Sequence, residues 1–138
     1  MADVTITAAN VDAPTTGIST GVSGEAISIG DVLYADSSDS NKLKKAQADG
    51  TAAEATVVGI AMNTTSAADQ HVGYATSGAL TLGSGLTQGE VYFVSGTAGV
   101  IAPDADIATS NCYRSYLGVA SSTTVLQLKI HNSTAQIP

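Results

Sequence analysis

The chain has no tryptophan, one phenylalanine, one cysteine and three prolines, and only 12% of its residues carry charge. Each scarcity excludes something. With so few large aromatic groups, a catalytic pocket of the usual apolar and aromatic kind is hard to assemble. A lone cysteine, Cys112, rules out an internal disulfide and supplies no thiolate metal cluster; a cysteine with no such partner is expected to serve as a small buried apolar residue. Five cationic residues face twelve acidic ones, giving a net charge of −7, which repels phosphate backbones instead of displacing their counterions. Binding to nucleic acid is not expected. No apolar run reaches the length of a membrane span, and Met1-Ala2-Asp3-Val4-Thr5 lacks the basic and apolar regions of a secretion signal, so no membrane partner is expected and the site of synthesis is read as a cytoplasm.

What is abundant is small and polar: about half of the residues are Ala, Ser, Thr or Gly. Hydrophobic residues still make up 43%, and they alternate regularly, which separates the chain from disordered sequences of low hydrophobicity and high charge. At 138 residues it has the size of one domain.

The organisation comes from a phrase written twice. Gly30-Asp31-Val32-Leu33-Tyr34 recurs as Gly89-Glu90-Val91-Tyr92-Phe93, and Val58-Gly59-Ile60-Ala61 recurs as Leu117-Gly118-Val119-Ala120, both 59 residues on. Two glycines and the alternation around them are kept while the intervening residues change, as a repeated β-scaffold requires. Internal similarity at a fixed period sets architecture, and two copies make a two-lobed domain instead of a solenoid. Period-two alternation bounded by Gly, Asp, Asn and Ser predicts strands at Val32–Ala35, Leu43–Ala46, Thr56–Asn63, His71–Thr76, Ala79–Leu82, Val91–Val94, Val100–Ala102, Tyr113–Ala120 and Val125–His131. Glycine within apolar strands at 59 and 118 marks a bulge or a close backbone approach. Asp49–Ala55 and Asp104–Thr109, Ala-rich and opening on an acid, predict about one helical turn each.

The fold expected is therefore all-β: a compact two-lobed sandwich or barrel-like knob spanning 26–138, with lobes at about 26–82 and 83–138. Residues 1–25, rich in Gly, Ser and Thr, read as an extended N-terminal arm, within which Val4, Thr5, Ile6 and Thr7 alternate and are β-prone enough to add to a strand edge.

Candidate sites resolve mostly into ordinary structure. Gly83–Gly89 has the wrong spacing for a phosphate loop and precedes a strand, so it reads as the turn joining the lobes. Asp36–Asn41 lacks the glycine and closing glutamate of a calcium loop and reads as a hairpin tip built on Asx turns. Asp104 and Asp106 fit the start of a helical turn. His71 and His131 fall in different strands, and Cys112 has no activating neighbour in sequence, so no nucleophile, base and stabiliser come together. No enzyme activity, cofactor or metal is expected. Asn63-Thr64-Thr65 and Asn132-Ser133-Thr134 match the glycosylation pattern by chance in so Ser/Thr-rich a chain. Lys42, Lys44 and Lys45 hold three of the five cationic charges; Lys42 and Lys44 share one strand face, either as a solvated edge that discourages aggregation or as a contact to an acidic partner.

The run Gly24–Tyr34, with Val57–Ala61, Gly78–Leu82 and Gly89–Val94, resembles the head decoration, or capsid cement, proteins of tailed bacteriophages, over roughly residues 22–120. The resemblance implies a β-rich knob, a homotrimer, seated on the outer surface of the capsid and pinning neighbouring major capsid subunits together. Val4–Thr7 and Lys42, Lys44 and Lys45 are then the expected capsid contacts. The alternative is a tail-fibre or receptor-binding module on the same scaffold, which would expose aromatic residues on loops; here Tyr34, Tyr74, Tyr92, Phe93, Tyr113 and Tyr116 fall in predicted strands, favouring core and interface use.

Overall fold

The computed structural model describes residues 17–82, 85–103 and 112–132. They form ten strands: Ile18–Val22 (β1), Val32–Asp36 (β2), Lys42–Lys45 (β3), Val57–Ala61 (β4), His71–Ala75 (β5), Ser77–Thr81 (β6), Val91–Val94 (β7), Ile101–Pro103 (β8), Tyr116–Ala120 (β9) and Val125–His131 (β10). They build two antiparallel sheets, ordered β1-β5-β4-β2-β3 and β6-β10-β9-β7-β8. The architecture is all-β, a two-lobed sandwich.

The second sheet repeats the first position for position. Strands β6, β7, β8 and β9 begin 59 residues after β1, β2, β3 and β4. Only β10 departs, because the β9–β10 connection is shorter than that between β4 and β5. Register carries the likeness further. In the first lobe Val32 faces Ile60, Leu33 faces Gly59, and the pairing then slips so that Tyr34 faces Val57; in the second, Val91 faces Val119, Tyr92 faces Gly118, and Phe93 faces Tyr116 after the same slip. Val58 and Leu117 are the extra residues of two equivalent bulges. A Cβ on Gly59 would lie 2.5 Å from the Ala75 carbonyl oxygen, and one on Gly118 would lie 2.1 Å from that of Gln127, so a neighbouring backbone occupies the space of a side chain at both places. Gly30 and Gly89 turn the chain into β2 and β7 at φ of 94° and 83°, and donate at 2.8 Å to the carbonyls of Ala61 and Ala120. That left-handed backbone favours glycine.

Three boundaries differ from the sequence reading. The sheet begins at Ile18, not Ala26: β1 pairs along its length with β5, Gly24 donates to Leu43 at 2.8 Å, and Ser23 is fully buried. Ile-Ser-Thr-Gly-Val shows no apolar face, since all but Gly21 are exposed, so only its register with β5 makes it a strand. The lobes divide at Thr76, because β6 follows β5 after that one residue and belongs to the second sheet. Accordingly the connection ending at Gly89 links β6 to β7 within the second lobe and does not join the lobes. The turn expected at 49–55 is present over 51–55, closed by Ala55 N–H to the Thr51 carbonyl at 3.2 Å. Its cap is Thr51, which exchanges hydrogen bonds with Glu54 in a capping box, not Asp49. The counterpart expected at Asp104–Thr109 lies outside the described residues.

Two cores result. Ile27, Leu33, Leu43, Ala61 and Val72 fill the first lobe, whose edge strands β1 and β3 meet at a Ser23–Leu43 bridge that curls the sheet towards a barrel. The opposite faces of β2 and β4, with Val32, Tyr34, Val57 and Ile60, join Leu80, Tyr92, Phe93, Leu117 and Leu126 in one core shared by both lobes. Because β2 is buried on both faces, it reads as a continuous apolar run.

Candidate functional site

The described surface offers three places to consider. The first is the β2–β3 hairpin end. Asp36 accepts hydrogen bonds from the Ser38 N–H at 3.0 Å and the Ser38 hydroxyl at 2.6 Å, forming the expected Asx turn, and Ser40 and Asn41 complete the tip at φ of 57° and 59°. Lys42 and Lys44 share a face, as their spacing requires, and both are paired within the chain. Lys44 Nζ lies 2.8 Å from Asp36 and 3.3 Å from Asp39; Lys42 Nζ lies 2.6 Å from Asp69 and 3.8 Å from Asp39. The Lys44 hydrogen bond, helped by those from Ser38, lowers Asp36 to a pKa of about 2, while the hydrogen bonds to Asp36 and Asp39 raise Lys44. Lys45 points to the other face, and its backbone N–H donates to Glu25 at 2.9 Å. Single exposed pairs contribute little to stability, but these link the hairpin tip to the Asp69 loop. An acidic partner would have to compete with three carboxylates for the two lysines.

The second place is the outer edge of β1, where Ile18 and Val22 are exposed beside backbone groups that β5 does not pair. Val4, Thr5, Ile6 and Thr7 lie outside the described residues.

The third is a cluster on the second sheet that the sequence reading did not assemble. The Arg114 guanidinium sits 5.3 Å from the centroid of Phe93, Tyr116 meets Phe93 edge-on at 5.9 Å, and His131 lies 6.0 Å from Tyr116. Phe93 is buried, Tyr116 half-buried, and Arg114 and His131 exposed. The signal was in the repeat: where the second lobe has Arg114 and Tyr116, the first has Ala55 and Val57 at the same offset.

The remaining residues singled out by sequence are dispersed. His71 is exposed at the start of β5 and His131 at the end of β10, on different sheets; Cys112 is buried in the shared core. Asp104 and Asp106 lie outside the described residues, among which no three His, Cys, Asp or Glu converge as metal ligands and no helix is long and apolar enough to cross a membrane. Of the glycosylation-like triplets, Thr65 is buried, its hydroxyl accepting from Ile27 N–H and donating to the Glu25 carbonyl, while the Asn63 amide holds His71 and Gly73. In the second triplet Asn132 holds Val57, and Ser133 and Thr134 lie outside the described residues. No family model, curated protein or solved structure matched the chain.

Proposed function

We propose that the chain is a head decoration, or capsid cement, protein of a tailed bacteriophage, a homotrimer that sits on the outer surface of the capsid and stabilises contacts between major capsid subunits. The observation that carries this reading is the duplicated β unit itself. The phrases that bear the resemblance fall in or beside β1, β2, β4, β6 and β7, and in the two lobes they support matching turns and bulges. The chain devotes its matched glycines to a rigid knob.

The chemistry of the knob suits a structural role. Its buried hydroxyls at Ser23, Thr65 and Ser115 are engaged with backbone groups, and its hairpin lysines are engaged with carboxylates. A net charge of −7 keeps the protein from competing for the packaged genome. Attachment is assigned to Val4, Thr5, Ile6 and Thr7, through strand addition to a capsid edge, and to Lys42, Lys44 and Lys45. In a trimer several weak contacts act together, and effective concentration makes them durable. The reading requires neither catalysis nor a cofactor.

An electron-microscopy map of the particle tests it. Expected is a knob of this shape on the head exterior, in hundreds of copies per particle. Density confined to the tail, in a few dozen copies or fewer, would instead identify a fibre or receptor-binding module.

A further inference from the structure

The outer edge of β1 is open, and the register shows which groups it offers. Along the β1–β5 ladder the hydrogen-bonded pairs fall at the odd-numbered residues from Gly17 to Ser23: the Gly17 carbonyl accepts from Thr76 N–H at 2.5 Å, and Ser23 N–H donates to the Gln70 carbonyl at 2.8 Å. Antiparallel pairs alternate, so Ile18, Thr20 and Val22 turn their N–H and C=O groups away from β5. Gly73, opposite Thr20, likewise directs its own groups elsewhere, accepting from Met62 N–H at 2.7 Å and donating to the Asn63 side-chain oxygen at 2.6 Å. Beyond Val22 the edge is closed by β3, where Gly24 N–H donates to Leu43 and Lys45 N–H to Glu25. Ile18 and Thr20 are left facing outward.

Proteins guard such edges with charge, proline or a cover. β1 has no charge and no proline, and it holds two of the three large apolar side chains exposed among the described residues, Ile18 at 45% and Val22 at 38%. Its counterpart β6 differs. Ser77 and Ala79 stand at the places of Ile18 and Thr20, and Gly78 takes φ of 102°, so β6 offers an incoming strand neither a regular edge nor a large exposed side chain to cover. The chain itself supplies an occupant for β1. Ten residues, 8–17, join Thr7 to Ile18, and Asn10, Asp12, Pro14 and Gly17 among them are residues that turn a chain. Gly17 already takes φ of 77°. A strand on so short a tether meets β1 at about millimolar effective concentration, well above a second copy at micromolar levels. Antiparallel pairing with Ile6 opposite Ile18 puts Thr5 opposite Ser19, and Val4 opposite Thr20 and diagonal to Val22. Apolar groups then share the face of Ile18 and Val22, and hydroxyls meet on the other.

We propose that Val4–Thr7 fold back onto the outer edge of β1 in the same chain, adding a sixth antiparallel strand to the first sheet with Ile6 opposite Ile18. Only two hydrogen-bonded pairs form, and closing the connecting loop offsets them, so global stability changes little. What changes is access: the docked strand covers Ile18 and keeps the β1 edges of free copies from pairing with each other. The docking does not rest on the capsid reading. On that reading it adds a step, since the segment that meets a capsid edge is first stored on β1 and must be exchanged.

Cross-linking of the full chain tests the register. Thr5 and Ser19 would form a non-hydrogen-bonded pair, whose Cα separation of about 4.5 Å suits a disulfide. Cys112 is buried and common to every variant. At about 10 μM, Thr5→Cys with Ser19→Cys should close within one chain at least about tenfold faster than Ala9→Cys with Ser19→Cys. An undocked arm gives the opposite order, because the loop from Ala9 is shorter. In the unmodified protein, hydrogen exchange at the Ile18 and Thr20 amides should be at least about tenfold slower than after deletion of residues 2–16. Equal exchange, faster closure from Ala9, or disulfides formed only between chains would overturn the proposal, the last by placing the arm on a second copy. Head binding is read separately. The oxidised form of Thr5→Cys with Ser19→Cys should bind undecorated heads at least about tenfold more weakly and recover on reduction. Unaltered head binding counts against the arm as a capsid contact and leaves the docking standing.

Discussion

The side-chain amide of Asn132 holds Val57 by both of its backbone polar groups, accepting from the Val57 N–H at 2.8 Å and donating to its carbonyl at 3.1 Å. The two residues belong to different lobes and lie 75 positions apart. Val57 stands at the bulge of β4 and is buried, so the amide supplies the partners that a further strand would have given. Removing it with Asn132→Ala leaves buried backbone groups without those partners, at a cost of about 1–3 kcal/mol. Because the lobes share one core, the variant should still unfold in a single transition by urea, with fluorescence and circular dichroism coincident. Separate transitions for the two lobes would contradict the shared core.

The matched glycines give a second expectation. Gly59→Ala and Gly118→Ala each force a Cβ against the carbonyl oxygen of an adjacent strand, at 2.5 and 2.1 Å, and should destabilise by at least about 1–3 kcal/mol, the cost of overpacking. Gly73→Ala is the control, since its Cβ would meet the Asn63 side-chain oxygen at an ordinary 3.5 Å. Denaturation midpoints for the three variants check this. Equal effects at all three positions would mean that the close approach is not what requires glycine.

Acid should reveal the hairpin network. Asp36 is lowered to about 2 from an ordinary 3.8, chiefly by the hydrogen bond from Lys44. A depressed carboxylate stabilises the fold fully above its unfolded value and loses that contribution as pH falls through the folded one. The melting temperature should therefore drop between about pH 4 and pH 2, less steeply in Asp36→Asn, which removes the titrating group while keeping an acceptor for Ser38. Lys44 is raised above its ordinary 10.5, so its contribution is present below that value and fades above it. Acid profiles that superimpose for wild type and Asp36→Asn would exclude the network as their cause.

Truncation separates the arm from the sheet. Deleting residues 2–16 leaves β1 intact; on the decoration reading the shortened protein keeps its thermal stability and binds undecorated heads at least about tenfold more weakly. Deleting through residue 25 removes β1, uncovers the edge of β5 and strips the Ser23 and Gly24 contacts, and should lower the melting temperature sharply. A knob equally stable after both deletions would show that β1 is dispensable. Unaltered head binding by the shorter deletion would shift attachment to Lys42, Lys44 and Lys45, with a steep dependence on salt.

Nine of the ten strands were legible in the sequence, each with an apolar alternation or a buried apolar run. Ile18–Val22 was not, because four of its five side chains are exposed and hydrophobic periodicity detects only burial. The repeat nevertheless contained it, since β6 lies 59 residues on. The lobe boundary was misplaced for a related reason: Gly83–Gly89 is a more conspicuous break than the single residue Thr76, and strand pairing, not turn composition, decides which sheet a strand joins. The lysines were legible as a shared face but not as paired charges, because Asp69 reaches Lys42 only when the loop before β5 folds back beside β3.

By itself, the sequence determined the local and periodic properties: an all-β chain, a 59-residue duplication, matched glycines at turns and bulges, and a buried Cys112. Those follow from backbone sterics and alternation, which act over a few residues. Tertiary structure alone decided which equivalent positions become different. Val32 and Val91 are the same residue at the same place in the repeat, yet one is fully buried and the other exposed. The cause is contact between the lobes, where the Gly99 carbonyl at the tip of the β7–β8 hairpin accepts from the Val32 N–H, a distinction that no local pattern encodes.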